Sequence, residues 1–98
     1  MLREKESMST PRHLHRYLEL NGHDSIMLHF NSPAYVYLMD DTNYRLYLDE
    51  KEYEYYGDLV QKTPFRVRAP GAGRWHLVIE QKNPAHTLSV TVQIVREG

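Results

Sequence analysis

Apolar and polar residues alternate with a period of two along most of this chain, the pattern of strands with one face in a core and one in water. Leu88, Val90, Val92 and Ile94 alternate with Thr87, Ser89, Thr91 and Gln93, and Trp75, Leu77 and Ile79 alternate with Arg74, His76 and Glu80. Upstream, Ile26-Leu28-Phe30, Val36-Leu38 and Tyr44-Leu46-Leu48 carry the same signature. Phe65-Val67-Ala69 repeats it with Arg66 and Arg68 on the opposite face, and Leu14, Leu18 and Leu20 predict a first strand whose apolar side Arg16 interrupts. Turn-forming residues separate these runs at Asn21-Gly22, Asn31-Ser32-Pro33, Asp40-Asp41-Thr42-Asn43, Pro70-Gly71-Ala72-Gly73 and Asn83-Pro84. Short strands at this spacing predict an all-β protein, an antiparallel sandwich or barrel of about seven to nine strands. Asp49 to Tyr56 fits the pattern less well: Gly57 would end a helix there, but the tyrosines suit a strand, so the segment reads as loop and then strand.

The turn at Pro70 to Gly73 predicts a hairpin and fixes its register. If Phe65, Val67 and Ala69 share a face with Trp75, Leu77 and Ile79, the loop has an odd number of residues and Ala69 pairs with Trp75. That register sets Arg68 opposite His76 on the outer surface with Arg66 nearby, a small basic patch.

Composition narrows the function classes. Ninety-eight residues make one small domain with a modest core. Residues 1–10 are expected to be extended or disordered and 11–98 to form the sandwich, with Met8 a natural alternative start. With 12 Lys+Arg against 13 Asp+Glu the net charge is -1, which argues against polyanion binding driven by bulk charge. The absence of cysteine removes disulfides, thiolate zinc sites and cysteine nucleophiles, and favours a reducing cytoplasm. The first residues lack the apolar stretch of a signal peptide, and no run is long enough to span a bilayer.

Val36, Leu38-Met39-Asp40, Asn43-Tyr44, Tyr47, Tyr55-Tyr56-Gly57, Pro64, Arg66, Pro70, Gly73, Trp75-His76 and Val78 stand in an order that resembles the bacterial domain-of-unknown-function family numbered 1883. The resemblance runs from about Tyr35 to Val95. It implies a jelly-roll-like, CUB-like β-sandwich. Some relatives are attached to TIR domains, which implies a sensing or partner-binding role in bacterial signalling or defence. No catalytic residue is established for the family, so none is carried over. Asp58 stands where relatives tend to have a second glycine, and Gln81 to His86 replaces a glycine-richer hairpin tip.

Six histidines raise the question of a metal. His13-Leu14-His15 with Glu19 echoes the first metal motif of cupins, and Pro70 to His76 loosely resembles the turn before a third ligand. The spacing after the proline differs, however, and surface histidines explain the pairs equally well. Eight tyrosines offer an aromatic platform for a sugar, nucleotide or peptide, against the plainer reading of half-buried strand walls. Trp75 is assigned to the core. The serines sit in no glycine-flanked elbow, no phosphate-cradling glycine loop precedes a helix, and Asp40-Asp41 reads as a capping pair at a turn. The exposed row Thr87-Ser89-Thr91-Gln93 reads as an ordinary wet strand face.

The sequence therefore supports a non-catalytic module that binds a small ligand or protein partner, with Tyr44, Tyr56, Arg66, Arg68 and His76 as candidate contacts. It calls for no cofactor, metal, membrane or nucleic acid, and leaves a homodimer open. A cupin-like metalloenzyme using His13, His15, Glu19 and His76, and a structural oligomerisation domain, are the alternatives.

Overall fold

The computed structural model describes residues 13–82 and 88–96. The Asn83-Pro84 turn, the Gln81 to His86 tip beyond Lys82, Thr87, the side chain of His13 and the amino-terminal segment lie outside that set. The elements run β1 (His13–Leu20), β2 (Ser25–Phe30), β3 (Ala34–Met39), α1 (Asp41–Leu48), β4 (Tyr56–Val60), β5 (Phe65–Arg68), β6 (Gly73–Gln81) and β7 (Val90–Val95). They form two antiparallel sheets, ordered β1-β6-β3-β4 and β5-β2-β7, stacked as a β-sandwich.

Period-two alternation builds the core as expected. Leu18, Leu20, Val36, Leu38, Leu77 and Ile79 from the four-stranded sheet meet Ile26, Leu28, Val67 and Val90 from the other, all buried. Trp75 is half-buried against this core, and its indole Nε1 donates to the Gly71 carbonyl at 3.0 Å. Arg16 occupies an inward position of β1 opposite Leu77, and its Nη1 is buried without a hydrogen-bond partner.

Two expectations are corrected. The alternation of Tyr44, Leu46 and Leu48 belongs to a helix, not a strand. Asp40 caps it, its Oδ1 accepting from the Asn43 amide and the Asn43 side chain at 2.9 Å each, while Asp41 sits in the first turn where the helix dipole favours an anion. Over eight residues, the spacing of Tyr44, Tyr47 and Leu48 fits a 3.6 period as well as the other set fits a period of two. Capping chemistry decides the matter. Asp40→Ala should therefore cost about 1 kcal/mol, with Asp40→Ser recovering most of it; urea midpoints at unchanged slope would check this.

The second correction concerns the hairpin. β5 and β6 do not pair: β5 lies against β2, with Arg68 opposite Ser25 and Arg66 opposite Met27, while β6 lies between β1 and β3. The chain from Ala69 to Ala72 crosses between sheets, and the Ala69 amide donates to the Asp24 carbonyl at 2.9 Å. Facing strands of a sandwich point their apolar sides at each other, just as neighbouring strands share one side. The alternation is satisfied either way.

Candidate functional site

The outward face of the four-stranded sheet should be wet, yet on β6 both faces are buried. His76 is 7% exposed and Val78 0%, and Met39 beside them on β3 is 1%. The cover is α1, which packs on β6 and β3. The sandwich thus has a partial third layer, and the functional candidates lie between that layer and the sheet.

Strand register brings the components together. On β1 His15 is opposite Val78 and Tyr17 opposite His76; on β3 Tyr37 is opposite Val78 and Met39 opposite His76. His15 and His76 are therefore diagonal neighbours, and His15 Nε2 lies 2.8 Å from His76 Nδ1. The other nitrogen of His76, Nε2, contacts Asp41 Oδ1 at 2.5 Å. With Asp41 ionised, His76 donates from Nε2 and its Nδ1 accepts from His15, a continuous carboxylate–imidazole–imidazole chain. The hydrogen bond from His76 holds the Asp41 carboxyl below the usual carboxylate range, helped by the charges of His76, Arg74 and Arg45 against a smaller opposing effect of desolvation.

Aromatic rings flank that chain, whose ends at His15 and Asp41 are exposed. Tyr44, one helical step in from Asp41, stacks on His15 (centroids 4.4 Å apart, planes 8° apart) and on His76 (4.3 Å, 12°). The two imidazoles are themselves near coplanar, 17° apart with centroids at 5.0 Å, so the phenol ring lies over the junction between them. Tyr17 leans on His76 at 4.7 Å. The Arg74 guanidinium sits 5.3 Å from the Tyr17 ring centroid and donates to its hydroxyl at 2.8 Å. Tyr17 is 48% exposed, so this end of the cluster opens to solvent.

A second group fixes the far end of the helix. Tyr47 donates its hydroxyl to Glu80, and the rings of Tyr37, Tyr47, Tyr53 and Tyr55 meet edge-on or tilted, closest at 4.6 Å between Tyr37 and Tyr55. Burial pushes the Tyr47 and Tyr37 phenols well above their ordinary range, and the negative charge of Glu80 adds to it. Burial also raises Tyr44 and Tyr53. These phenols stay protonated, and Tyr47 acts as a donor to Glu80.

Of the sequence candidates, the structure unites Tyr44 and His76. Arg66 and Arg68 lie on the three-stranded sheet, so the expected patch with His76 is not formed. Tyr56 stands on the edge strand β4, 56% exposed and edge-on to Trp75 at 6.0 Å, away from the histidine pair. Of the cupin-like set, His15 and His76 come together, but Glu19 is opposite Arg74, four residues or about 13 Å along β1 from His15. Among the described residues no group of three or more metal-ligating side chains is placed to hold an ion. A depression of about 140 Å³ lined by Phe30, Asn31, Ser32, Pro33, Gln61 and Thr63 shares no residue with the aromatic cluster.

Asp41, Tyr17 and Arg74 were not singled out as contacts from sequence. The Asp40 cap was the available signal for Asp41; the others depend on β1–β6 pairing across some sixty positions, as the His15–His76 separation of 61 shows. No described helix is long and apolar enough to cross a membrane. The family whose sequence profile matches is Domain of unknown function (DUF1883), over residues 11–98. No curated protein and no solved structure matches the chain.

Proposed function

The chain belongs to the Domain of unknown function (DUF1883) family, and from that premise we propose that it is a non-catalytic binding module whose recognition surface is the outer face of the four-stranded sheet around Tyr17, His15, Tyr44, His76 and Arg74. The observation that carries this reading is the solvent-open end of the cluster. Tyr17 offers half of its surface to solvent with a guanidinium held over its ring, beside an exposed His15. An aromatic face, a fixed cation and an imidazole suit a small planar ligand bearing an anionic group, a nucleotide-like molecule being the simplest case. We place the module in the cytoplasm, in keeping with a chain free of cysteine, as the sensing part of a bacterial signalling or defence system.

The test is a thermal-shift screen of mono- and dinucleotides followed by NMR mapping of any hit. A ligand at 100 times its Kd should stabilise the fold by about 2.7 kcal/mol. Arg74→Ala and Tyr17→Ala should each weaken binding roughly tenfold or more, while Arg66→Ala with Arg68→Ala should leave it unchanged. Shifts mapping to the three-stranded sheet would overturn the assignment. A purely concentration-dependent dimer in light scattering, with no hit, would favour the oligomerisation alternative through an edge strand, β1 or β4.

A further inference from the structure

We infer that the His15–His76 bridge, which joins β1 to β6 beneath α1, is an acid-operated latch: it keeps both rings flat under Tyr44, and its loss when both imidazoles are fully protonated frees the first turn of α1 from the sheet. The latch is a property of the free protein; only its consequence, control of ligand access, rests on the binding face proposed above.

Counting protons gives the rule. Two contacts set the rule, His76 Nε2 with Asp41 Oδ1 at 2.5 Å and His15 Nε2 with His76 Nδ1 at 2.8 Å. With neutral rings, two protons satisfy both contacts, one toward the carboxylate and one between the rings. A third proton can be distributed over the remaining nitrogens and both contacts survive. A fourth occupies every nitrogen, so two N–H groups face each other across the bridge with no lone pair left to accept. The contact turns from a hydrogen bond into a repulsion between two cations.

Packing converts that local event into movement of the helix. The imidazoles are near coplanar, and Tyr44 of α1 stacks on both, so neither ring turns out of the bridge without leaving the face of Tyr44. Asp41, on the same turn, keeps its hold on a protonated His76, so that ring leaves His15 together with the helix. Among the described residues the groups around the pair are Asp41 and Tyr44 from α1, Tyr17 from β1 and Met39 from β3, with Arg45 of α1 and Arg74 of β6 near enough to Asp41 to act on its charge. Asp41 alone among them is anionic and favours added charge; Arg74 and Arg45 oppose it. Glu80 is engaged by Tyr47 at the other end of the helix. That contact does not depend on imidazole protonation, so the helix swings from Tyr47 as its first turn lifts. Tyr17, His15 and Tyr44 then no longer form one surface.

The experiment uses the whole protein without ligand. ¹⁵N NMR follows the histidine rings, and hydrogen exchange follows amide protection, from about pH 8 to about pH 5, the interval in which imidazole gains charge. The pair should titrate as one coupled unit in two steps. The second step should coincide with at least about tenfold loss of protection across Asp41–Leu48, with β2 and β6 still protected. His15→Gln and His76→Gln, which keep a hydrogen-bonding group but take up no proton, should each abolish the pH-dependent loss. Unchanged α1 protection through both histidine steps would overturn the latch, as would the same loss in wild type and both glutamine variants. In a parallel arm at each pH, nucleotide binding reports on the proposed face. Helix release without any nucleotide binding upholds the latch and rejects that face.

Discussion

Gly57→Ala should destabilise this protein by about 2–5 kcal/mol, through backbone strain and overpacking together. A domain of this size has of the order of 5–10 kcal/mol in total, so the variant should be close to unfolding at 37 °C. Gly57 has φ of 142°, outside the range that L side chains adopt readily. A Cβ built there would lie 2.0 Å from the Val36 carbonyl oxygen and 2.9 Å from its carbon, and both are backbone atoms in the middle of β3. Neither can move aside as a flexible side chain would. The remaining glycines separate the two causes. Gly73 has φ of 137° but open space around it, so Gly73→Ala should show strain alone, about 1–2 kcal/mol. Gly22, with neither positive φ nor any neighbour within 4 Å, should be within about 0.5 kcal/mol of neutral as alanine. Urea denaturation of the three variants at constant slope decides. Equal losses at positions 57 and 73 would mean that the close approach of β4 to β3 is not the cause. The approach matters to the site, because β4 opposes Gly57 to Tyr37 and the preceding Tyr55 ring rests edge-on against Tyr37.

That glycine also shows what the sequence could and could not say. Tyr55-Tyr56-Gly57 marked a strand entry correctly, because tyrosine favours strands and glycine tolerates unusual backbone. The strands at Leu28, Val36, Leu77 and Val92 were legible for the same reason: burial on one face writes a period of two directly into residue type. What was not legible was which strands are neighbours. Val67 and Leu77 both point inward, and inward-pointing residues look alike whether their strands adjoin or face each other across the core. The Arg68–His76 pairing failed on that ambiguity. The true neighbour of His76 is His15, a contact created by closing a chain segment of 61 residues, which no local pattern encodes. The helix differs from the expectation for another reason: about two turns of amphipathic helix present too few apolar positions to distinguish periods, while the Asp40 and Asn43 cap, which does distinguish them, reads equally as a turn. Once α1 is in place, the outer face of β6 becomes a second interior. This is why His76 and Val78 are buried although Arg74 and Glu80 on the same face are polar.

The second large effect is expected at Asp24, the most buried charged residue described, at 1% exposure. Its Oδ2 accepts from the Asn21 amide at 2.8 Å and from Arg96 Nη1 at 2.6 Å, its own amide donates to the Asn21 carbonyl at 3.1 Å, and its carbonyl accepts from Ala69 at 2.9 Å. One residue thus closes the β1–β2 turn where the chain changes sheets and ties down the ends of β5 and β7. Asp24→Ala removes both side-chain bonds and leaves the Asn21 amide without this acceptor, which should cost about 2–4 kcal/mol. Arg96→Ala should cost nearly as much, for a different reason. The Arg96 side chain is 57% exposed and loses little packing, but its removal leaves a carboxylate only 2% exposed with the Asn21 amide as its remaining side-chain partner. Because most of the Arg96→Ala penalty comes from stranding the Asp24 carboxylate, which the double variant no longer contains, the double variant should cost less than the sum, with a coupling of about 1–3 kcal/mol. Strict additivity in that cycle would show that Asp24 acts through the turn alone and that the ion pair adds nothing. Whichever holds, the loss should appear as a single cooperative transition. Asp24 sits where the chain passes from one sheet to the other, while the histidine bridge lies within the four-stranded sheet beneath α1, so acid release of α1 should leave the sandwich folded and loss of Asp24 should not.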